Sequence, residues 1–182
     1  MDMPKNILKD MENDVNVRLD EWHIEKKEIS HKKETVNKKE VGTVKFDIMP
    51  WTIWWFKVGE NIGREIGSHV DRNQNFNFNR PCIVISKLKS LRDTDHNIIT
   101  ILPMSTKSDG IGIYKKFIHK LESADYPKES RFNKGLKNDS YVVCHQLKTI
   151  DTKRLLSQVT TRILDKDIKF IQEKMKLYLD LE

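Results

Sequence analysis

Apolar residues follow two different patterns along this chain. In the first 45 residues they are sparse and periodic. Ile7, Met11, Val15, Leu19, Trp22 and Ile29 recur at intervals of four, four, four, three and seven. That spacing draws a narrow stripe on a charged helix and predicts a helix over about residues 9–36, with Trp22 anchoring one face against the body of the chain or another subunit. Lys38 to Lys45 reads as a linker. Beyond it the apolar residues gather into short continuous runs rich in β-branched and aromatic side chains, the signature of buried strands. Strands are expected over 51–58, 81–88, 97–104, 111–121 and 139–148, with a brief one over 158–162. Asp93 to Asn97 is turn chemistry joining the second and third of these into a hairpin. Gly59, Gly63 and Gly67 open a segment running to Asn79 that is too long for a simple hairpin and reads as a functional loop. Thr149 to Leu156 reads as a turn into a short helix with Asp151 as N-cap. Residues 165–180 read as a helix capped by Asp165, with Ile168, Ile171, Met175 and Tyr178 on one face.

Several short strands flanked by helices predict an α+β, mainly β fold: a small, partly open β-barrel with a C-terminal helix. The expected division is a helical extension and linker over 1–45 and a barrel domain over 46–182. Of the clustered Trp51, Trp54 and Trp55, at least two read as core, although indoles can also stack on nucleobases.

Charge sharpens this picture. The net charge is +6, and the sequence pI is about 9.2. Residues 1–45 carry ten basic and ten acidic side chains, so the excess lies in 46–182. A basic body suits a polyanion, although solubility alone also explains it. Cys82 and Cys144 sit inside apolar runs and read as small buried hydrophobes. No CxxC or His-x-x-x-His spacing occurs, so neither a metal nor another cofactor is expected. No apolar run approaches the ~20 residues that span a bilayer, and the N-terminus lacks the apolar stretch of a secretory signal. A reducing, cytoplasmic setting with no membrane partner is the expectation.

The candidate chemistry lies at strand ends. Arg80 stands just before one apolar run, and Ser105, Thr106 and Lys107 stand just after another. Antiparallel pairing would bring a guanidinium, two hydroxyls and an ammonium to the same sheet edge, a constellation suited to phosphate. The alternative is an ordinary strand boundary.

Four groups of residues carry a resemblance in register. They are Ile53-Trp54-Trp55 with Gly59-Glu60-Asn61-Ile62-Gly63-Arg64-Glu65; Phe78-Asn79-Arg80-Pro81; Pro103-Met104-Ser105-Thr106-Lys107; and Asp139-Ser140-Tyr141 through His145-Gln146-Leu147-Lys148-Thr149-Ile150-Asp151-Thr152-Lys153-Arg154-Leu155. In this order, over about residues 51–180, they resemble the PemK/MazF family of toxins from type II toxin–antitoxin systems. The segment around Trp22 looks like the N-terminal extension of a longer subgroup. The resemblance implies an SH3-like barrel and a homodimer whose grooves bind RNA. It also implies a cognate antitoxin whose tail blocks the groove and with which the toxin binds DNA. The implied activity is metal-independent, sequence-selective cleavage of single-stranded RNA by 2′-hydroxyl attack.

By the same resemblance Arg80 is the catalytic arginine. Ser105 stands at the family's usual threonine, but the order here is Ser-Thr-Lys, so Thr106 competes for the hydroxyl role. Glu65 is an acidic residue that transfers a proton or holds Arg80. His145 occupies a position where some relatives carry an acidic base, and imidazole suits acid–base work near neutrality. Gln146 matches a position that contacts RNA, and Asn61, Lys107 and Lys148 are further RNA contacts. The 68–79 stretch reads as a specificity or lid element. Two other readings stay open: a non-catalytic RNA-binding module, and a toxin of the same fold that inhibits a protein such as gyrase.

Overall fold

The computed structural model describes residues 5–31, 48–59, 65–67, 69–70, 76–86, 98–106, 112–129, 133–160 and 162–181, with side chains at 5–15, 69–70, 76–77 and 112–114 left out of the description. The expected links at 38–45 and 93–97 lie outside these residues. The chain divides into two compact units, one of Met1–Lys33 with Val58–Phe78 and one of Glu34–Lys57 with Asn79–Glu182.

The larger unit is a sheet of seven strands: β1 (Ile53–Lys57), β4 (Asn79–Val84), β5 (Ile98–Ser105), β6 (Ile118–Leu121), β7 (Ser140–Val143), β8 (Lys148–Asp151) and β9 (Leu155–Gln158). Their order is β6-β7-β5-β4-β1-β9, with β8 also paired to β5. Every pairing is antiparallel. Among the described residues β6 and β9 remain edges, so the barrel is partly open, as the sequence led us to expect.

The strands read as unbroken apolar runs because both faces of the sheet are buried. Ile53, Ile83, Leu102, Met104 and Val142 pack on one face with Ile168 and Ile171 of helix α2 (Asp165–Leu179). Trp54, Phe56, Cys82 and Ile101 alternate with them and are buried on the other. Trp54 can be buried whole because its indole N–H donates to Thr52 Oγ1 at 2.8 Å, while the Thr52 hydroxyl donates to the Met49 carbonyl at 2.6 Å. Trp51 also packs against the core, whereas Trp55 is exposed.

A polar anchor ties α2 to the sheet. The Asp167 carboxylate is buried and accepts from both sides, from His119 Nε2 at 2.6 Å and from the Tyr126 hydroxyl at 2.5 Å. The Tyr126 oxygen in turn accepts from the Leu164 N–H at 3.1 Å. Burial, then the bond to Asp167, drives the Tyr126 phenol well above its ordinary range, so it stays a donor.

The smaller unit holds helix α1 (Lys5–His31) and a two-stranded hairpin of β2 (His69–Val70) and β3 (Phe76–Asn77). The long segment expected as loop thus carries pairing of its own. Trp22 is buried in this unit as expected, but Leu19 is exposed, and Ile7, Met11 and Val15 fall outside the described side chains.

Other elements differ from expectation for identifiable reasons. α1 begins at Lys5, before residue 9, and its last described residue is His31. Arg80 lies inside β4, because the ladder with β1 runs out to Lys57↔Asn79. The expected strand 111–121 is a 3₁₀ turn over Gly112–Phe117 followed by β6. The expected strand 139–148 breaks at a 3₁₀ turn over Cys144–Gln146, because β5 pairs β7 at Met104–Ser105 and β8 at Ile98–Ile101. β9 lies a few residues before the expected 158–162 strand. Asp151 does cap the 3₁₀ turn Thr152–Arg154, accepting from Lys153 N at 2.7 Å. Asp165 is the first residue of α2 rather than its cap and binds Arg162 at 2.9 Å.

Removing the Asp167 carboxylate leaves a buried hydroxyl and a part-buried imidazole unmatched. Asp167→Ala is expected to lower the unfolding free energy by on the order of 3 kcal/mol in urea titration. Lys166→Ala, which breaks the exposed pair with Asp125 at 2.6 Å, is expected to change it little.

Candidate nucleic-acid interface

Directly opposed residues in antiparallel strands share a face, so the register shows which side chains stand in one row. Phe56 opposes Leu155 on one side and Arg80 on the other. The β4–β5 register ends at Cys82 opposite Pro103, two residues short of Arg80 on β4 and of Ser105 on β5. Ser105 opposes Tyr141, and Tyr141 opposes Lys120. Ser105, Tyr141 and Lys120 therefore form a polar row across three strands, and Arg80 stands on β4 two residues beyond the last pair of β4 with β5. The next row inward, on the same face, is Trp54, Cys82 and Pro103, all buried. The polar row is thus the rim of an apolar floor, which fixes its backbone.

Arg80 is half-buried, and this burial lowers the pKa of its guanidinium. It remains cationic, because an arginine does not lose its proton in a protein. A charge held in a low-dielectric rim acts more strongly on a nearby anion than the same charge in water. A second guanidinium lies close to the same face. Arg154 Nε donates to the Lys57 carbonyl at 2.8 Å, and burial lowers its pKa too. The Cys82 thiol feels the Arg154 charge, but burial dominates and pushes the thiol well up. Both cysteines are free and buried; burial pushes Cys144 up to about 12, so neither is a ready nucleophile. Lys120 is neutralised by Asp139 at 2.8 Å and Glu122 at 3.4 Å. The Lys120 contact, then the Ser123 amide and hydroxyl, hold the Asp139 carboxyl down at about 2.

The remaining expected residues are spread more widely. Thr106 follows Ser105 and is exposed. Lys107 and Asn61 lie outside the described residues. Glu65 is exposed and belongs to the smaller unit. His145 and Gln146 sit on the turn between β7 and β8 rather than at a strand end. The His145 ring packs with Tyr178 at 6.1 Å and Phe117 at 6.3 Å, and burial lowers its pKa. Lys148 opposes Ile101, four residues and so ~13 Å along β5 from Ser105. Among the described residues no cluster of three His, Cys, Asp or Glu side chains could hold a metal, and no helix is long and apolar enough to cross a membrane.

Tyr141 and Arg154 were not singled out from the sequence. The Tyr-Val-Val run gives no sign of which residue faces a polar row, since that depends on a register set by β5. Arg154 follows a lysine in a charged turn, and nothing local marks it as the half-buried one.

An antiparallel, incompletely closed sheet with a half-buried arginine near one strand end and a helix across one face defines a small, partly open β-barrel protein. The chain belongs to the PemK-like, MazF-like toxins of type II toxin–antitoxin systems, whose family model matches residues 49–179. No curated protein matches it. Among solved structures, the Mycobacterium tuberculosis toxin MazF-mt6 is similar at 18% identity and a TM-score of 0.42, covering 64% of this chain and 99% of that one. An endoribonuclease in complex with its cognate antitoxin, from a mycobacterial species, is similar at 11% identity and a TM-score of 0.45, over 74% and 96%.

The Arg154 bond to Lys57 spans 97 residues of sequence. Arg154→Gln is expected to cost about 2 kcal/mol of unfolding free energy in urea titration, because the Lys57 carbonyl loses a charged donor.

Proposed function

We propose that this toxin is a metal-independent endoribonuclease acting on single-stranded RNA, including mRNA. The observation that supports the reading is the half-buried Arg80 near the start of β4, in a chain of this family. In this reading the 2′-hydroxyl oxygen of one nucleotide attacks the adjacent phosphorus while the bond from phosphorus to the 5′-oxygen breaks. A cyclic phosphate, or a 3′-phosphate after hydrolysis, remains on one product. Arg80 binds the non-bridging oxygens as negative charge builds on the phosphorane, and Ser105, or Thr106 beside it, donates a hydrogen bond to the same group. Two groups compete for the 2′-hydroxyl proton: His145, whose burial favours the neutral imidazole, and Glu65 in the glycine-rich segment. Asn61, Lys107, Gln146 and Lys148 contact neighbouring phosphates and bases of the strand. The toxin works in the cytoplasm as a homodimer, held in check by a cognate antitoxin. This partner reading is supported by the family's toxin–antitoxin description and by the antitoxin bound to the mycobacterial relative.

Arg80→Ala is expected to reduce cleavage of a mixed-sequence RNA in EDTA by on the order of 100-fold or more while the unfolding midpoint holds. Unchanged cleavage removes Arg80 from the mechanism. If the wild-type protein cuts no RNA, a binding role replaces the enzymatic one.

The pH profile tests the base. The His145 pKa is lowered from 6.5, so the imidazole is unprotonated through neutral pH, and the rate should fall only as pH drops below that value. His145→Ala is expected to erase this acid limb. An unaltered profile between pH 5 and 8 removes His145 from the acid–base role.

A further inference from the structure

Helix α1 carries 27 residues, yet a single large side chain on its described part is buried, Trp22. What that indole meets is specific. Its ring lies 5.4 Å from the ring of Phe78, tilted by 40°. It also covers Gly59, where an added Cβ would stand 2.4 Å from Trp22 Cζ2, 2.5 Å from Cε2 and 3.0 Å from Nε1. Gly59 also has a φ of +80°, so two independent constraints exclude a side chain there. The residues flanking these contacts are joined as well, since Val58 N–H donates to the Phe78 carbonyl at 2.7 Å. Val58 and Phe78 are buried. Trp22 therefore sits on the neck of the segment that leaves the sheet after Lys57 and returns to it at Asn79.

The position of this neck along the chain gives it consequence. Phe78 immediately precedes β4, whose second residue is Arg80. Lys57, the residue before Val58, presents the carbonyl that Arg154 binds. Between Gly59 and Phe78 lies Glu65. Trp22, distant in sequence, thus meets both ends of the segment that holds Glu65.

We infer that α1 is a built-in positioning element, in which Trp22 clamps Gly59 and Phe78 together and so holds closed the neck of the segment that carries Glu65 and ends two residues before Arg80. Trp22 touches no reacting atom in this role. It acts through the neck, and misplacing a catalytic group by a fraction of its working distance lowers the chemical step more than binding. The inference rests on the reading of Arg80 as the catalytic arginine, while the clamp stands on its own geometry.

Two measurements on the full chain separate the clamp from its consequence. Amide hydrogen exchange reports the Val58 N–H directly, because exchange requires opening of its bond to Phe78. Trp22→Ala is expected to speed Val58 exchange tenfold or more while the amides of β4 and β5 keep wild-type protection. Trp22→Phe, which preserves an aromatic ring over Phe78, is expected to recover most of it. Gly59→Ala drives a methyl into the indole and should reproduce the Trp22→Ala pattern. Steady-state cleavage of RNA is then expected to show a kcat about tenfold lower for Trp22→Ala with KM changed less than threefold, and near-wild-type kcat for Trp22→Phe. Unchanged Val58 exchange in Trp22→Ala overturns the clamp. Faster exchange with wild-type kcat and KM overturns its role in positioning. A wild-type protein that cleaves no RNA fails the ribonuclease reading instead, and the exchange experiment still decides the clamp.

Discussion

The antiparallel register between β4 and β5 is the constraint on which the rest of this protein depends. Cys82 opposite Pro103 and Ile83 opposite Leu102 set which residues face α2 and which face the opposite core. A slip of β4 by one residue against β5 would turn its faces over and carry Arg80 to the side of Ile53, Leu102 and Ile171. Because both faces are apolar through the middle of the strands, such a slip is penalised chiefly where the polar residues begin. The polar strand ends that read as the site therefore also fix the register.

The anchor around Asp167 does for the helix what the register does for the sheet. A carboxylate with both oxygens engaged, by His119 and by Tyr126, fixes the rotation and depth of α2 on β6. Apolar packing of Ile168 and Ile171 supplies burial without much direction, and the hydrogen bonds supply the direction. His145 reaches the same helix through Tyr178 and Phe117. Its ring is oriented by packing, which suits a group that must be held still, whether it moves a proton or only supports the turn.

The strand runs, the C-terminal helix, the two buried cysteines and the Asp151 cap were legible in the sequence because each depends on neighbouring residues. The buried Trp22 was legible for the same reason, as one tryptophan on an otherwise charged helix. The antiparallel pairing of the two strands that carry Arg80 and Ser105 was legible too, since turn chemistry between apolar runs marks a hairpin. Tyr141, Arg154 and the break at Cys144–Gln146 were not. Each follows from β5 bending and changing partners, and no local pattern in 139–148 records where a distant strand bends.

The sequence by itself determined the family, the class of fold and the presence of an arginine and a hydroxyl at strand ends. Those features rest on residue identity, period and short spacing, which are local quantities. Only the tertiary structure decided that Arg80 lies within a strand on the rim of a buried floor, that Arg154 is a second half-buried guanidinium bound to the Lys57 carbonyl, and that an indole from residue 22 occupies the space a side chain at Gly59 would take. The physical reason is the same in each case. Burial and close approach are properties of pairs of residues far apart in the chain, and they exist only once the strands have chosen their register.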